Sequence, residues 1–359
     1  MVTIKDVATK AGVSISTVSN VINKRKFVSD ELIERVNITV QELGYVANPI
    51  AQNMKLKNTK TVGVITSDLC GLFYPYVLKG IYEVLNAGGY KVIVIDLDGM
   101  NDRLGSIKKF RDGVESLIFS RVDGIIFSST LSGEMEVGII NEIKETYSYQ
   151  RDIGLVCIES DLSKFGVDSV FSDSVDGADK ATSHLINIGC KRIGHITGPL
   201  FISVVQERIA GYKNAMSRSG FAVDDATMIS NGDYTHRSGY LAMKDLLHKM
   251  PDIDGAFIAN DQMSIGALKA LSEEGKAVPD EVKIVGYDDV FIASVMEPAL
   301  STIHIKKHFF GKKAAELLVE QIEGKKQNHP AVAIEIETSL VERKSTVKAA
   351  PEDWILVNW

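Results

Sequence analysis

The sequence predicts a small three-helix unit at the N-terminus, followed by an α/β core of two lobes, each with its own parallel sheet. Three observations carry this. Apolar residues recur at helical spacing, punctuated by glycine, up to Gly44. From Thr61 onward, short Val/Ile-rich runs alternate with helical stretches. At 359 residues the chain is long enough for two or three folding units.

In the first helix Ile4, Val7, Ala8 and Ala11 fall at i, i+3, i+4 and i+7, one apolar face. Gly12 ends it, and Ser14 is placed to cap the next helix by accepting a hydrogen bond from a free N–H. There Val18, Val21 and Ile22 face inward, leaving Ile15, Ser16, Thr17, Ser19 and Asn20 on other faces near the helix start. This is the helix-turn-helix arrangement, whose second helix meets base edges in the major groove. A third helix follows, with Ser29 as its expected cap. Asp30 and Glu31 lie at the positive end of its dipole, Leu32, Val36, Val40 and Leu43 form its buried stripe, and Gly44 ends it.

Charge divides the chain in the same place. Residues 1–60 hold nine Lys/Arg and five Asp/Glu, a formal +4; the whole chain is −7, so the remainder is −11. A basic head on an acidic body fits a nucleic-acid contact confined to the head. Lys24, Arg25, Lys26, Lys55, Lys57 and Lys60 are candidate phosphate contacts, which position a protein on DNA without reading its sequence.

The core strands are expected at TVGVIT (61–66), YKVIVID (90–96), VDGIIFS (122–128), IGLVCI (153–158), RIGHIT (192–197), GAFIA (255–259) and VKIVGYD (282–288). Near-continuous apolar runs separated by helices indicate parallel sheets covered on both faces. A helix from Phe309 to Glu323 and a last strand, AVAIEIE, cross between the lobes. Ligands of open α/β sheets sit beyond the carboxyl ends of strands, here in the cleft between lobes.

Other classes find little support. Cys70, Cys157 and Cys190 are scattered, with no metal-ligand spacing, and read as reduced thiols; no metal or cofactor is expected. The chain shows no N-terminal apolar run and no span long enough for a bilayer, so a cytoplasmic location is expected. There is no GxGxxG after the first strand, no phosphate-binding P-loop and no GxSxG elbow. His184, His195, His236 and His304 are dispersed and read as structural, so no enzyme is expected.

Several stretches carry a family resemblance: TIKDVATKAGVSISTVSNVIN, VSDELIERVNITVQELGYVANPIAQNM, VGVITSDLCGLFYPYVLKGI, FSDSVDGADKATSHLINIGCKRIGHITGP, FIANDQMSIGALKALSEEGKAVPDEVKIVGYDD and SLVERKST. Over essentially its whole length the chain resembles transcription regulators of the lactose-repressor (LacI/GalR) family. The resemblance implies a headpiece at 1–46, a hinge helix and linker at 47–60, a core at 61–345 and an apolar tail at 346–359. The implied core is a periplasmic-binding-protein-like (type 1) fold. Its first lobe is expected at about 61–161 and 291–323, its second at about 162–290 and 324–345.

The implied function is a dimeric regulator, a repressor, on a pseudo-palindromic operator, controlled by a small molecule in the cleft. Ile15, Ser16 and Asn20 match the base-reading positions, and Thr3, Ser14, Thr17, Ser19 and Asn23 the phosphate-contacting ones. Asn20 departs from the family's usual Arg; Asn prefers adenine where Arg reads guanine. Ala51 and Met54 match hinge positions that enter the minor groove, with Met54 where Leu is usual. Asp68, Phe73, Tyr74, Glu159, Gln206, Arg208, Tyr234, Asn260 and Asp288 match effector-cleft positions, and Asp261 and Asp289 read as structural. Gln206 stands where sugar-responsive members carry Arg, and Ile202 and Val204 lack the polar groups of purine-responsive relatives. These residues favour a small sugar or sugar derivative. A protein or phosphorylated co-regulator, or a sugar-binding protein without a regulatory role, are the alternatives.

Overall fold

The computed structural model describes residues 2–23, 27–45, 59–98, 102–128, 130–147, 153–324 and 330–351. It divides into two compact units, Met1–Thr59 and Lys60–Trp359.

In the first unit α1 (Ile4–Ala11), α2 (Ile15–Asn23) and α3 (Asp30–Leu43) pack around Val7, Ala8, Ala11, Val18, Val21 and Val36. Ile33, which the expected stripe omitted, joins Val40 and Leu43 against this core. Helix α1 opens with a capping box: the Asp6 N–H donates to Thr3 Oγ1, and the Thr3 N–H donates to Asp6 Oδ2 at 2.8 Å. Gly12 closes it at φ +65°, in the left-handed region where a side chain is strained. Ser14 caps α2 as expected, accepting from the Thr17 N–H at 3.1 Å. Ser29 does not: it occupies the N-cap of α3 with no side-chain hydrogen bond.

The second unit holds two six-stranded sheets. The first is built from β1 (Thr61–Thr66), β2 (Lys91–Asp96), β3 (Gly124–Ser128), β4 (Gly154–Ile158), β5 (Asp168–Phe171) and β11 (Ala333–Glu335), in the order β11-β5-β4-β3-β1-β2. Its paired strands all run parallel, as in the register Val62↔Val92 and Val62↔Gly124. The second is built from β6 (Ile193–Thr197), β7 (Ile229–Asn231), β8 (Gly255–Ile258), β9 (Lys283–Asp288), β10 (Ser301–His304) and β12 (Ser339–Val341), in the order β12-β10-β9-β8-β6-β7. Only its edge pair β10–β12 is antiparallel. Strands β3 and β8 are buried along their whole length because helices cover both faces.

The covering helices are α4 (Tyr74–Ala87), α5 (Arg103–Phe119) and α6 (Glu134–Thr146) on the first lobe. On the second are α7 (Ser174–Asn187), α8 (Ser203–Arg218), the short α9 (Asp225–Met228), α10 (His236–Lys249), α11 (Asp261–Glu273) and α12 (Phe291–Val295). Helix α13 (Lys307–Ile322) returns to the first lobe, where it packs against α4 and Gln321 bonds Leu155 of β4.

The partition of the lobes therefore differs from the expected one. Strand β5 belongs to the first sheet although the second lobe was expected from 162; β10 belongs to the second sheet although 291–323 was assigned to the first lobe; β11 belongs to the first although 324–345 was assigned to the second. The chain crosses three times, at 172–173, 305–306 and 336–338, and each crossing is only two or three residues long. Thr346, expected to open the tail, is buried and bonds His184 Nε2 at 3.0 Å and Ser301 Oγ at 2.7 Å. Trp354 to Trp359, Ala51, Met54 and the cations Lys24, Arg25, Lys26, Lys55 and Lys57 lie outside the described residues. Among the described residues no helix is long and apolar enough to cross a membrane, and no group of His, Cys, Asp and Glu is arranged to hold a metal ion.

Candidate functional site

The start of α2 presents a small polar surface. Packing of Val18 and Val21 into the headpiece core turns Ile15, Ser16, Ser19 and Asn20 away from it. Ile15 is 45% exposed, an apolar side chain of the kind that meets a thymine methyl. Ser14 Oγ lies 2.7 Å from Ser16 Oγ and 2.9 Å from Thr17 Oγ1, so three hydroxyls cluster at the helix start, with Thr3 exposed at the start of α1. The Asn23 side chain lies outside the described residues, while its backbone closes α2. Lys60 belongs to the core unit, where its N–H donates to Asp123 at 2.7 Å and its ammonium lies over Tyr90.

The second candidate site is a cavity of about 120 Å³ between the lobes. Eight of the nine expected effector positions line it: Asp68, Phe73, Tyr74, Glu159, Arg208, Tyr234, Asn260 and Asp288. Ser67, Leu72, Asp233, Thr235, Gln262 and Val290, which sequence reasoning missed, line it too, together with Ile202 and Val204. Most stand on segments just past the ends of β1, β4, β7, β8 and β9. Gln206 does not belong to the group. It is exposed, and its amide donates to the Leu200 carbonyl at 2.6 Å. Residues two apart on a helix point to nearly opposite sides, so α8 cannot turn both Gln206 and Arg208 inward.

The backbone around the cavity is strained. Glu159 (φ +77°), Tyr234 (φ +70°), Asp288 (φ +102°) and Asp289 (φ +51°) are non-glycine residues in the left-handed region. Such residues cost of order 1–3 kcal/mol each and gather where a side chain must be aimed. The first three all line the cavity.

The Tyr74 hydroxyl donates to Glu159 Oε2 at 2.5 Å, and Tyr74 stacks edge-on with Phe73. Burial pushes the Glu159 carboxyl up to about 7, against the lowering effects of the Tyr74 hydroxyl and the Arg208 charge. Burial likewise pushes Asp288 up to about 6, although Arg208 and Lys307 pull it down. The Arg208 guanidinium lies 3.8 Å over the Tyr287 ring, donates to the Ala259 carbonyl at 2.6 Å and stands 4.0 Å from Asp288. Its Nε is buried without a partner. Asn260 caps α11 by accepting from the Met263 N–H, and its amide donates to the Tyr234 carbonyl at 3.3 Å.

Asp261 and Asp289 are structural, as expected. Asp261 accepts from Thr302 at 2.6 Å and from the Val290 N–H at 2.8 Å. Asp289 pairs with Arg343 and His304, both at 2.8 Å. Lys307 is buried at the second crossing and donates to the carbonyls of Asp288 (2.5 Å) and Asp289 (2.8 Å), clamping the strained pair from the far lobe's helix. His195 is stacked on Phe257, and burial lowers it to about 4, a neutral core residue.

Comparison with known proteins agrees at both ends of the chain. Residues 3–48 match the family described as bacterial regulatory proteins, lacI family, and residues 182–346 match a periplasmic binding protein-like domain. The HTH-type transcriptional repressor PurR of Vibrio atlanticus (strain LGP32) is 32% identical over 348 residues, covering 97% of this chain and 99% of the relative. The ribose operon repressor of Escherichia coli (strain K12) is 33% identical over 322 residues, covering 90% and 93%. Among solved structures, the lac repressor dimer bound to operator and the anti-inducer ONPF superposes with a TM-score of 0.80 at 26% identity, covering 96% of this chain and 99% of that one. A complex of the transcriptional regulator CelR with cellobiose gives 0.70 at 30% identity, covering 96% and 100%.

Proposed function

The chain belongs to the LacI family and is a DNA-binding transcriptional repressor, not an enzyme, and from that premise we propose that a small polyhydroxyl effector in the inter-lobe cavity controls its binding to operator DNA. The observation that carries the reading is the convergence of Tyr74, Glu159, Arg208, Asn260 and Asp288 on one cavity at the carboxyl ends of both sheets. Carboxylates, an amide and a guanidinium beside the rings of Phe73 and Tyr234 suit a ligand needing paired hydrogen bonds and an apolar face.

The repressor acts as a dimer, each headpiece addressing one half of a pseudo-palindromic site. Ile15, Ser16 and Asn20 read bases; Thr3, Ser14, Thr17, Ser19 and Asn23 hold phosphates. The three short crossings let one lobe turn against the other without unfolding either. A ligand touching both lobes favours one arrangement of them. Only that difference in affinity shifts the DNA-binding equilibrium.

The test is calorimetric titration of the purified repressor with a panel of neutral monosaccharides, followed by the Arg208→Ala variant. The reading predicts that one sugar binds and that Arg208→Ala weakens it at least tenfold. Undiminished binding to the variant would place the ligand elsewhere.

A further inference from the structure

The strand ends that build the inter-lobe cavity differ in chemistry. The segments past β1, β4, β7, β8 and β9 bring Asp68, Glu159, Asp233, Asn260 and Asp288 to it. The segment past β6, which runs into α8, brings only Ile202 and Val204 ahead of Arg208 among the described residues. Val204 and Arg208 are four apart on α8 and so share a face. The polar side chains around them turn elsewhere. Ser203 Oγ donates to the Leu131 carbonyl at 3.2 Å, Gln206 donates to the Leu200 carbonyl, and Glu207 opens on a neighbouring chamber. The Ile202 backbone is engaged too, its N–H donating to the Pro199 carbonyl and its carbonyl accepting from Val205 and Gln206. Ile202 and Val204 are both buried and join one apolar cluster with Tyr234. Phe73 and Val204 line one narrow recess with Glu159 and Arg208, so the apolar wall adjoins the charged groups.

We propose that Ile202 and Val204 determine effector specificity, and that the effector is a 6-deoxyhexose whose methyl group lies against them while Arg208, Asn260 and Asp288 hold its ring hydroxyls. The inference rests on the reading of this cavity as the effector site and narrows it. The rings of Phe73 and Tyr234 can meet the C–H face of any sugar. Ile202 and Val204 act differently: they withhold hydrogen-bond partners from whatever part of the ligand reaches them. A hydroxyl that leaves water for that wall loses its partners at a cost, whereas a methyl gains apolar contact. The exocyclic carbon is the position concerned, because losing its hydroxyl leaves a methyl that still fills the space. Losing a ring hydroxyl leaves a gap instead.

The experiment titrates full-length repressor with pairs that differ only at the exocyclic carbon: D-glucose, D-galactose, L-galactose and L-mannose, each beside its 6-deoxy form. In the pair that binds, the deoxy sugar is expected to be at least about tenfold tighter than its parent. Val204→Thr keeps the volume and adds a hydroxyl; it and, separately, Ile202→Ser are expected to bring the deoxy-to-parent ratio down towards one. Val204→Ala adds no polar group, and is expected to weaken both members alike and keep the ratio. A parent hexose binding as tightly as its deoxy form would overturn the inference and leave the cleft as effector site. A deoxy preference unchanged in both hydroxyl-adding variants would overturn the assignment to this wall. No binding by any compound would sink the sugar-effector reading and the deoxy sugar with it.

Discussion

Replacing Glu159 with Gln should stabilise the unliganded repressor at neutral and alkaline pH. The Glu159 carboxyl titrates at about 7 in the fold against 4.5 in the open chain, because it is buried against Tyr74. The folded-state value is raised, so the stability it confers is full below pH 4.5 and is lost as pH rises through 7. Over that interval the unfolded chain has released its proton and the folded chain still holds it, so the unfolded state binds fewer protons and stability falls. The difference, 7 minus 4.5, is 2.5 pH units, or about 3 kcal/mol at 1.36 kcal/mol per unit. Gln keeps an oxygen to accept the Tyr74 hydroxyl and cannot ionise. Urea unfolding of both chains between pH 5.5 and 8 should therefore show the variant gaining about 2 kcal/mol on the parent across the range, most of it below pH 7. Parallel curves would refute the argument and mean that water or a rearranged Tyr74 hydrates the carboxylate. A residue that costs stability where the protein works is expected at a ligand contact.

Other expectations follow from the packing and the headpiece. Asn20→Arg should move the base preferred at its step in a binding-site selection from adenine to guanine, by about 1–3 kcal/mol of discrimination; an unchanged consensus would remove Asn20 from the reading surface. Val36→Ala, at a fully buried headpiece position, should cost about 2 kcal/mol in a unit with little core to spare. Operator binding near 37 °C should then weaken while ligand binding to the core persists; equal loss of both would contradict it. Gly266→Ala should destabilise the core by about 3 kcal/mol, because a Cβ there would lie 1.8 Å from the His236 carbonyl where α11 crosses α10; chemical denaturation reads this, and a neutral result would mean the helices separate freely.

Much of the fold was legible because its signals are strong and local. TVGVIT is a strand over the whole expected range, since six apolar-rich residues buried on both faces leave little choice. The strands missed are short and lie at or near sheet edges or crossings: DSVF, ISN, STIH and SLV have three or four residues and too little periodicity to separate from turns. The lobe boundaries failed for a related reason. Pattern shows where a strand is but not which sheet it joins, and β5, β10 and β11 each lead into a crossing too short to announce a change of lobe. The cleft positions came from family resemblance. The added Gln262 could have been found by reading the residues just past the carboxyl end of β8, whereas Asp233 and Thr235 follow β7, one of the strands missed. Gln206 failed on helical phase, which the sequence already contained: a position two residues from an inward-facing arginine points outward.

The central claim is that one protein binds operator DNA and a small ligand and couples the two. The direct measurement is reciprocal: operator affinity of the full-length repressor with and without a saturating cleft ligand, and affinity for that ligand with and without operator, at one fixed salt concentration. The account predicts that both ratios differ from one and are the same factor, because coupling free energy belongs to the pair of sites. Specific operator binding that no cleft ligand alters, or ligand binding indifferent to operator, would contradict it.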